Sequence, residues 1–198
     1  MSLSSPDINN AEFLFSIKKG IARGDENSLE LLYRLYFKKL LSFAQTFLNT
    51  KEVAEEIVED IFIKIWAKRE DVVLIQNLKV YLYKCVKNAA INELHKQANR
   101  IKTEQIDSID HNYHTVGSTP IDHLIVSEML QSIEITVAAL PQRCRQIFKL
   151  IREDGLKYKE VAEILNISVN TIDNQMAIAV KRICAALSIK KNTTSRLS

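Results

Sequence analysis

Helical periodicity runs through most of this chain and fails once, between residues 101 and 121. That failure constrains the fold more than any other feature. Before it, apolar residues recur at steps of three and four in successive segments; after it, the same spacing returns. Such a chain can bury one core on each side of the break, built from amphipathic helices. Four Gly and three Pro in 198 residues leave little turn chemistry for an all-β alternative. The expected fold class is all-α, with two small helical domains joined by a flexible linker.

Four helical segments fill the first half. "NAEFLFSIKKGIAR" follows a cap at Asn10 and stops at Gly24. "DENSLELLYRLYFKKLLSFAQTFL" repeats Leu29, Leu32, Leu35, Tyr36, Leu40, Phe43 and Phe47 along one side. In "TKEVAEEIVEDIFIKIWAKRE" the stripe is Val53, Ile57, Ile61 and Ile65, and in "LKVYLYKCVKNAAINELHKQ" it is Val86, Ala90 and Leu94. Residues 10–100 therefore form one domain. The stretch 101–121, polar and punctuated by Gly117 and Pro120, reads as a linker. Fully extended, it would reach about 70 Å. Residues 122–187 form the second domain: a helix capped by Asp122, another opened by Pro141 at its first position and stopped by Gly155, then two more. Residues 188–198 read as a disordered tail.

Residues 141–198 carry eleven Lys/Arg against five Asp/Glu, whereas residues 1–140 carry sixteen against nineteen. A basic C-terminal piece on an acidic N-terminal body points to different partners for the two halves. Cys85, Cys144 and Cys184 lie far apart within helical pattern and read as buried, reduced thiols. His111, His114 and His123 sit in or beside the linker without the Cys or acidic neighbours that would complete a metal site. "MSLSSPDINN" has no basic or apolar run of a signal peptide, and no stretch approaches the roughly 20 apolar residues of a membrane span. A cytoplasmic protein is expected, with no catalytic residues, metal or cofactor, since no nucleophile–base set or phosphate loop is present.

The most telling segment is "NISVNTIDNQMAIAVKR", residues 166–182. Three residues, Asn166, Ile167 and Ser168, separate it from the short helix "YKEVAEIL". A turn that short between two short helices is the helix-turn-helix signature. Val169, Ile172, Met176, Ala179 and Ile183 form the face that packs down. The opposite face presents Asn170, Thr171, Asn174, Ile178 and Lys181, flanked by Gln175 and Arg182. Amides can pair with adenine edges, and Lys or Arg with guanine or phosphate. The short polar residues cluster at the N-terminal end, the part of a recognition helix that enters the major groove. Asp173 is a counter-signal that lies to the side.

"PQRCRQIFKLIREDGLKYKEVAEILNISVNTIDNQMAIAVKRI" resembles the fourth domain of bacterial sigma factors, which reads the minus-thirty-five promoter element. "AEEIVEDIFIKIW" resembles the core-binding helix of the sigma second domain, and "YLYKCVKNAAINELHK" the minus-ten reading helix that follows it. The two matches stand in family order with a linker between them. Over roughly residues 10–187 the chain resembles an extracytoplasmic-function (ECF) sigma factor of the sigma-70 family.

The resemblance implies that Glu56, Asp60, Phe62 and Trp66 dock on the clamp helices of core RNA polymerase. Independently, Glu52, Glu56, Glu59 and Asp60 give that helix an acidic face suited to a basic protein and repelled by DNA. By the same resemblance Lys79, Lys84, Lys87, Asn88, Asn92, His95 and Lys96 face the minus-ten element. Tyr81, where the family commonly has Trp, is either a stacking surface for an unstacked base or a core side chain. The loop "KREDVVLIQN" falls where the family holds a flipped base. Asn170, Thr171, Asn174, Gln175, Ile178, Lys181 and Arg182 correspond to the minus-thirty-five reading surface.

Some positions depart from the family pattern. Asn92 replaces a usual Asp, and His95 and Lys96 a usual pair of arginines. Lys157 stands at a usual Ser/Thr cap, a loss of about 1 kcal/mol unless another residue compensates. Ile178 replaces a usual Arg or Lys, and there it either meets a thymine methyl or marks a weaker contact. The implied partners are core RNA polymerase (clamp helices and flap), promoter DNA and an anti-sigma factor, frequently membrane-anchored in the family. The alternative is a helix-turn-helix regulator with an N-terminal helical sensory domain.

Overall fold

The structure is a computed structural model that describes residues 11–104, 133 and 135–194. The chain divides into two compact units, residues 1–104 and 105–198, and the described residues contain helices and turns but no strand.

The first unit is organised around a tight corner at Gly24. Helix α1 (Ala11–Ala22) ends there because Gly24 adopts φ +82°, a left-handed conformation that costs glycine little. The amide of Asp25 donates to the Gly20 carbonyl at 3.0 Å and that of Gly24 to Ile21 at 2.9 Å, the paired bonds of a Schellman stop. Asp25 then caps α2 (Glu26–Ala44): its carboxylate accepts from the backbone amides of Asn27 and Ser28, both at 3.2 Å, and from the Ser28 hydroxyl at 2.5 Å. The Ser28 hydroxyl bond, the largest influence, holds this carboxyl below its ordinary pKa. A Cβ on Gly20 would collide with Ser28, so the corner also requires glycine inside α1.

Helix α2 packs against α1, α3 (Lys51–Ala67) and α4 (Leu78–Glu104). It buries Leu32, Tyr36, Leu40, Phe43 and Ala44. The Phe43 ring meets Tyr83 of α4 edge-on at 5.3 Å. Between α3 and α4 a 3₁₀ turn (Arg69–Leu74) lies against α1, with Val72 buried beneath it.

In the second unit, α5 (Gln142–Phe148) runs into a π-helical turn (Lys149–Glu153), closed by Gly155 at φ +70°. Helix α6 (Tyr158–Leu165) follows, then α7 (Val169–Thr194). Val137, Leu140, Cys144 and Ala179 form a buried cluster, with Ile133, Phe148 and Ile183 packed on it.

Several sequence expectations change. Helix α4 continues to Glu104, past the boundary expected at residue 100, so 101–104 are helical rather than linker. The buried stripe has ended by then: Leu94 is exposed, and Lys, Gln, Ala and Arg carry the helix on by propensity. Helix α7 likewise runs to Thr194, so 188–194 are helix rather than tail. Pro141 is the N-cap of α5, not its first residue. The stripe of α3 is Ala54, Val58, Ile61, Phe62 and Ile65; Val53 and Ile57 are only half-buried. Of the three cysteines only Cys144 is buried; Cys85 is half-buried and Cys184 exposed, and none is in a disulfide. The caps at Asn10 and Asp122, the linker from 105 onward, His111, His114 and His123 lie outside the described residues.

Candidate nucleic-acid interface

The helix-turn-helix is built by three local devices. Asn166 takes φ 54°, ψ 55°, the left-handed conformation that asparagine tolerates better than most residues, and ends α6. The Ile167 amide donates to the Ala162 carbonyl at 3.1 Å, closing the turn. Ser168 then starts α7: its Oγ accepts from the Thr171 amide at 3.1 Å and lies 2.8 Å from the Thr171 hydroxyl. At the start of α6, the Lys157 ammonium has no lone pair to offer as a cap. The Glu160 carboxylate compensates by accepting from the Lys157 amide at 2.8 Å, half of a capping box.

The inner face of α7 buries Ile172, Met176 and Ala179 and half-buries Ile183, while Val169 is exposed at the helix start. The Cys144 thiol donates to the Gln175 carbonyl at 3.2 Å and ties α5 to the middle of α7. Burial pushes this thiol's pKa up, against the opposing pull of Arg182. Outward, Asn170, Asn174, Ile178, Lys181 and Arg182 are exposed, and Thr171 and Gln175 half-buried. At 1.5 Å per residue the surface from Asn170 to Lys181 is about 16 Å long. Thr171 differs from the rest, because its hydroxyl is engaged by Ser168. Ile178 is 40% exposed in the middle of otherwise polar groups.

The strip on α4 assembles as the steps of three and four require. Asn88, Asn92, His95 and Lys96 are exposed and Lys84 and Lys87 half-buried. Tyr81, seven residues before Asn88, falls on the same side and is 41% exposed, so it is not a core residue. Burial first, then a hydrogen bond with the Cys85 side chain, raises its phenol pKa. The Cys85 thiol is pushed up by burial, opposed by Tyr81 and by Lys64 of α3. The Lys87 ammonium is held below its usual pKa by burial and by Lys84, so a phosphate beside the pair would relieve repulsion as well as add attraction. Lys79 leaves the group: it is buried, not on the accessible strip.

On α3, Glu52, Glu56, Glu59 and Asp60 are all exposed. Asp60 pairs with Lys64 at 3.6 Å, both well solvated, a contact of little energetic weight. Phe62, expected to dock, is a core side chain: it is 5% exposed, and its ring meets Tyr33 at a 5.0 Å centroid distance. Trp66 is half-buried with the Arg69 guanidinium 5.6 Å over its ring. The apolar residue displayed here is Ile63, 64% exposed, at a helical position between Glu56, Glu59 and Asp60. The pattern could have found it: Ile63 lies four residues past Glu59, off the stripe of Ile61 and Ile65.

Among the described residues no group of three or more His, Cys, Asp or Glu could hold a metal ion. Among the described residues no helix is long and apolar enough to cross a membrane.

The family model for sigma-70 region 2 matches residues 32–100, and that for sigma-70 region 4 matches residues 130–183. The first covers α3, the 3₁₀ turn and the α4 strip, the second the helix-turn-helix. The ECF RNA polymerase sigma-E factor of Escherichia coli (strain K12) is 26% identical over 162 residues, spanning 79% of this chain and 84% of its own. The sigma-E factor of Haemophilus influenzae is 25% identical, over 79% and 85%. Among solved structures, the sigma factor RpoE in complex with the anti-sigma factor NepR from Bartonella quintana aligns with a TM-score of 0.58 and 24% identity, covering 83% of this chain and 98% of that one. CnrH in complex with the cytosolic domain of CnrY aligns with a TM-score of 0.56 and 16% identity, over 88% and 97%. These two likenesses establish a shared fold.

Proposed function

The chain belongs to the sigma-70 family of transcription initiation factors, in its extracytoplasmic-function group, and from that premise we propose how its surfaces divide the work of initiation. It is a promoter-recognising sigma factor. A regulator with an N-terminal sensory domain is not favoured, because region 2 occupies the half where the sensor would be.

The first unit carries two tasks on neighbouring helices. The acidic face of α3, with Glu56, Asp60, Ile63 and Trp66, binds the clamp helices of core RNA polymerase. Its carboxylates repel DNA and attract a basic protein surface. The α4 strip, Lys84, Lys87, Asn88, Asn92, His95 and Lys96, holds the minus-ten strand, and Tyr81 stacks on a base that has left the duplex. The second unit reads the minus-thirty-five element as duplex through Asn170, Asn174, Gln175, Ile178, Lys181 and Arg182 and rests on the polymerase flap. An extended linker of residues 101–121 would reach about 70 Å, and a linker shortened by the helical residues 101–104 still reaches roughly 50–60 Å. Elements one and a half to two DNA turns apart are separated by about 50–70 Å.

Sigma factors are regulatory, non-enzymatic proteins, and the chain is assigned no reaction and no cofactor of its own. It works in the cytoplasm, where polymerase and promoter are. An anti-sigma factor, such as those named with the structural neighbours, is the proposed regulator.

The observation that carries this reading is the adjacency of two opposed chemistries, an acidic α3 face and a basic, amide-rich α4 strip, in one small unit. Asp60→Lys tests it. Titrated against core polymerase, this variant is expected to lose binding while keeping its fold by circular dichroism. Equal binding by wild type and variant would overturn the assignment of α3.

A further inference from the structure

The N-terminal half of α7 lacks the side chains that most often read a guanine. From Val169 to Val180 the helix carries no Lys, Arg or His, and Asp173 is its one charged residue. Guanine shows two acceptors, O6 and N7, in the major groove, and a cation with two donors meets them best. Adenine shows an acceptor and a donor side by side, N7 and the N6 amino group, and an amide, which has both, matches that pair. Asn170 and Asn174 are exposed, and among the described residues neither amide side chain takes part in a hydrogen bond. Thr171 is withdrawn from this set, because its hydroxyl and its backbone amide are both engaged by the Ser168 Oγ.

Ile178 continues the row from Asn170 and Asn174 by one more step of four. Single exposed isoleucines are ordinary on a protein surface. This one is 40% exposed with Asn174 about one turn before it and Lys181 about one turn after it, both exposed. Thymine is the base whose major-groove edge carries a methyl group. Set against that methyl, Ile178 takes apolar surface of both partners out of water. Set against cytosine it would cover the N4 amino group, a donor then left without an acceptor, which weakens binding.

The spacing suits a short stretch of base pairs. Asn170, Asn174 and Ile178 are about 6 Å apart along the helix axis, against a rise of about 3.4 Å per base pair, so the three span about three to four pairs. Lys181 and Arg182 stand about 16–18 Å along the axis from Asn170, past those pairs, where phosphates come within reach. Arg182 is also near enough to the buried Cys144 thiol to oppose the rise in its pKa, which puts its charge on the α5 flank of α7.

On the reading that the second unit grips the minus-thirty-five duplex, we propose that the pairs read by α7 are A·T pairs, with Asn170 and Asn174 on adenine edges and Ile178 on the methyl of a thymine. No guanine is read by this helix. Lys181 and Arg182 hold the backbone and carry no base preference.

The test uses the full chain with core polymerase. Duplexes with a randomised minus-thirty-five element are selected for binding by the wild-type holoenzyme and sequenced, and A·T pairs are expected at three or four adjacent positions. Each selected thymine is then replaced by deoxyuridine, which removes the methyl group alone. At one position this should weaken wild-type binding about fourfold, the scale of one buried methyl-sized group, and leave Ile178→Ala binding unchanged. Replacing adenines singly by 7-deazaadenine, which lacks the N7 acceptor, should weaken wild type at the position read by Asn174 and leave Asn174→Ala unchanged there.

Equal wild-type affinity for thymine and deoxyuridine at every selected position would overturn the role of Ile178, as would a methyl effect that persists in Ile178→Ala. A selected element containing guanines whose 7-deaza replacement weakens binding would overturn the A·T assignment while leaving the minus-thirty-five reading in place. A holoenzyme that forms with core and selects no upstream element at all would overturn that reading itself.

Discussion

Ile63 offers a quantitative handle on core binding because the free chain gains almost nothing from it. The side chain stands 64% exposed on the outer face of α3 among carboxylates. Burying an isoleucine completely stabilises by about 1.5–3 kcal/mol relative to leaving it in water. With roughly two-thirds of that burial still available, docking would recover about 1–2 kcal/mol, a five- to thirtyfold effect on Kd. Ile63→Ala removes most of this, while the higher helix propensity of alanine leaves the free chain as stable or slightly more so. The assay is a titration of the full chain against core polymerase at two ionic strengths, with thermal unfolding measured in parallel. The apolar loss should persist at high salt, whereas any effect of neighbouring carboxylates should shrink with screening. Binding of Ile63→Ala within twofold of wild type, at unchanged stability, would refute the placing of this face against polymerase.

Other consequences follow from the same geometry. Asn174→Ala should relax selectivity at one minus-thirty-five base pair by about 1–3 kcal/mol, measured as the ratio of Kd values for matched and mismatched duplex in the holoenzyme. Ile178→Arg should tighten duplex binding and steepen its salt dependence by about one unit, since it adds a cation to an exposed position on the reading face. Phe62→Ala should destabilise the first unit by about 3–5 kcal/mol in denaturant unfolding, because Phe62 packs on Tyr33 inside the core. A fully stable Phe62→Ala would return that residue to the docking surface.

Much of the fold was legible because its signals are local. Gly24 and Gly155 mark positions where the chain needs a positive φ, and the three-residue turn before α7 makes a helix-turn-helix visible without a partner. The stripe of α3 is legible in its second half, at Ile61 and Ile65, and not in its first: hydrophobic size favours Val53 and Ile57, while the helix turns the small Ala54 inward with Val58. A related limit applies to Phe62: correspondence to a motif fixes a position in the chain but not the direction of its side chain. The exposure of Ile63 is legible, because its helical position lies off the stripe of Ile61 and Ile65. The burial of Lys79 is not legible in the sequence, because a lysine in a polar strip is expected to be exposed and only tertiary packing covers it. The sequence is compatible with Tyr81 in the core or on the surface, and its 41% exposure on the side of Asn88 puts it outside the core.

In the proposed function this chain acts only together with polymerase, gripping a promoter at two places. Reconstituted transcription tests it most directly: purified core RNA polymerase, the full chain and a random promoter library, with transcript start sites sequenced. Transcripts should depend on the chain and share two upstream elements about one and a half to two helical turns apart. Tight, specific binding of the chain alone to duplex DNA, with no association with core and no transcripts, would contradict it.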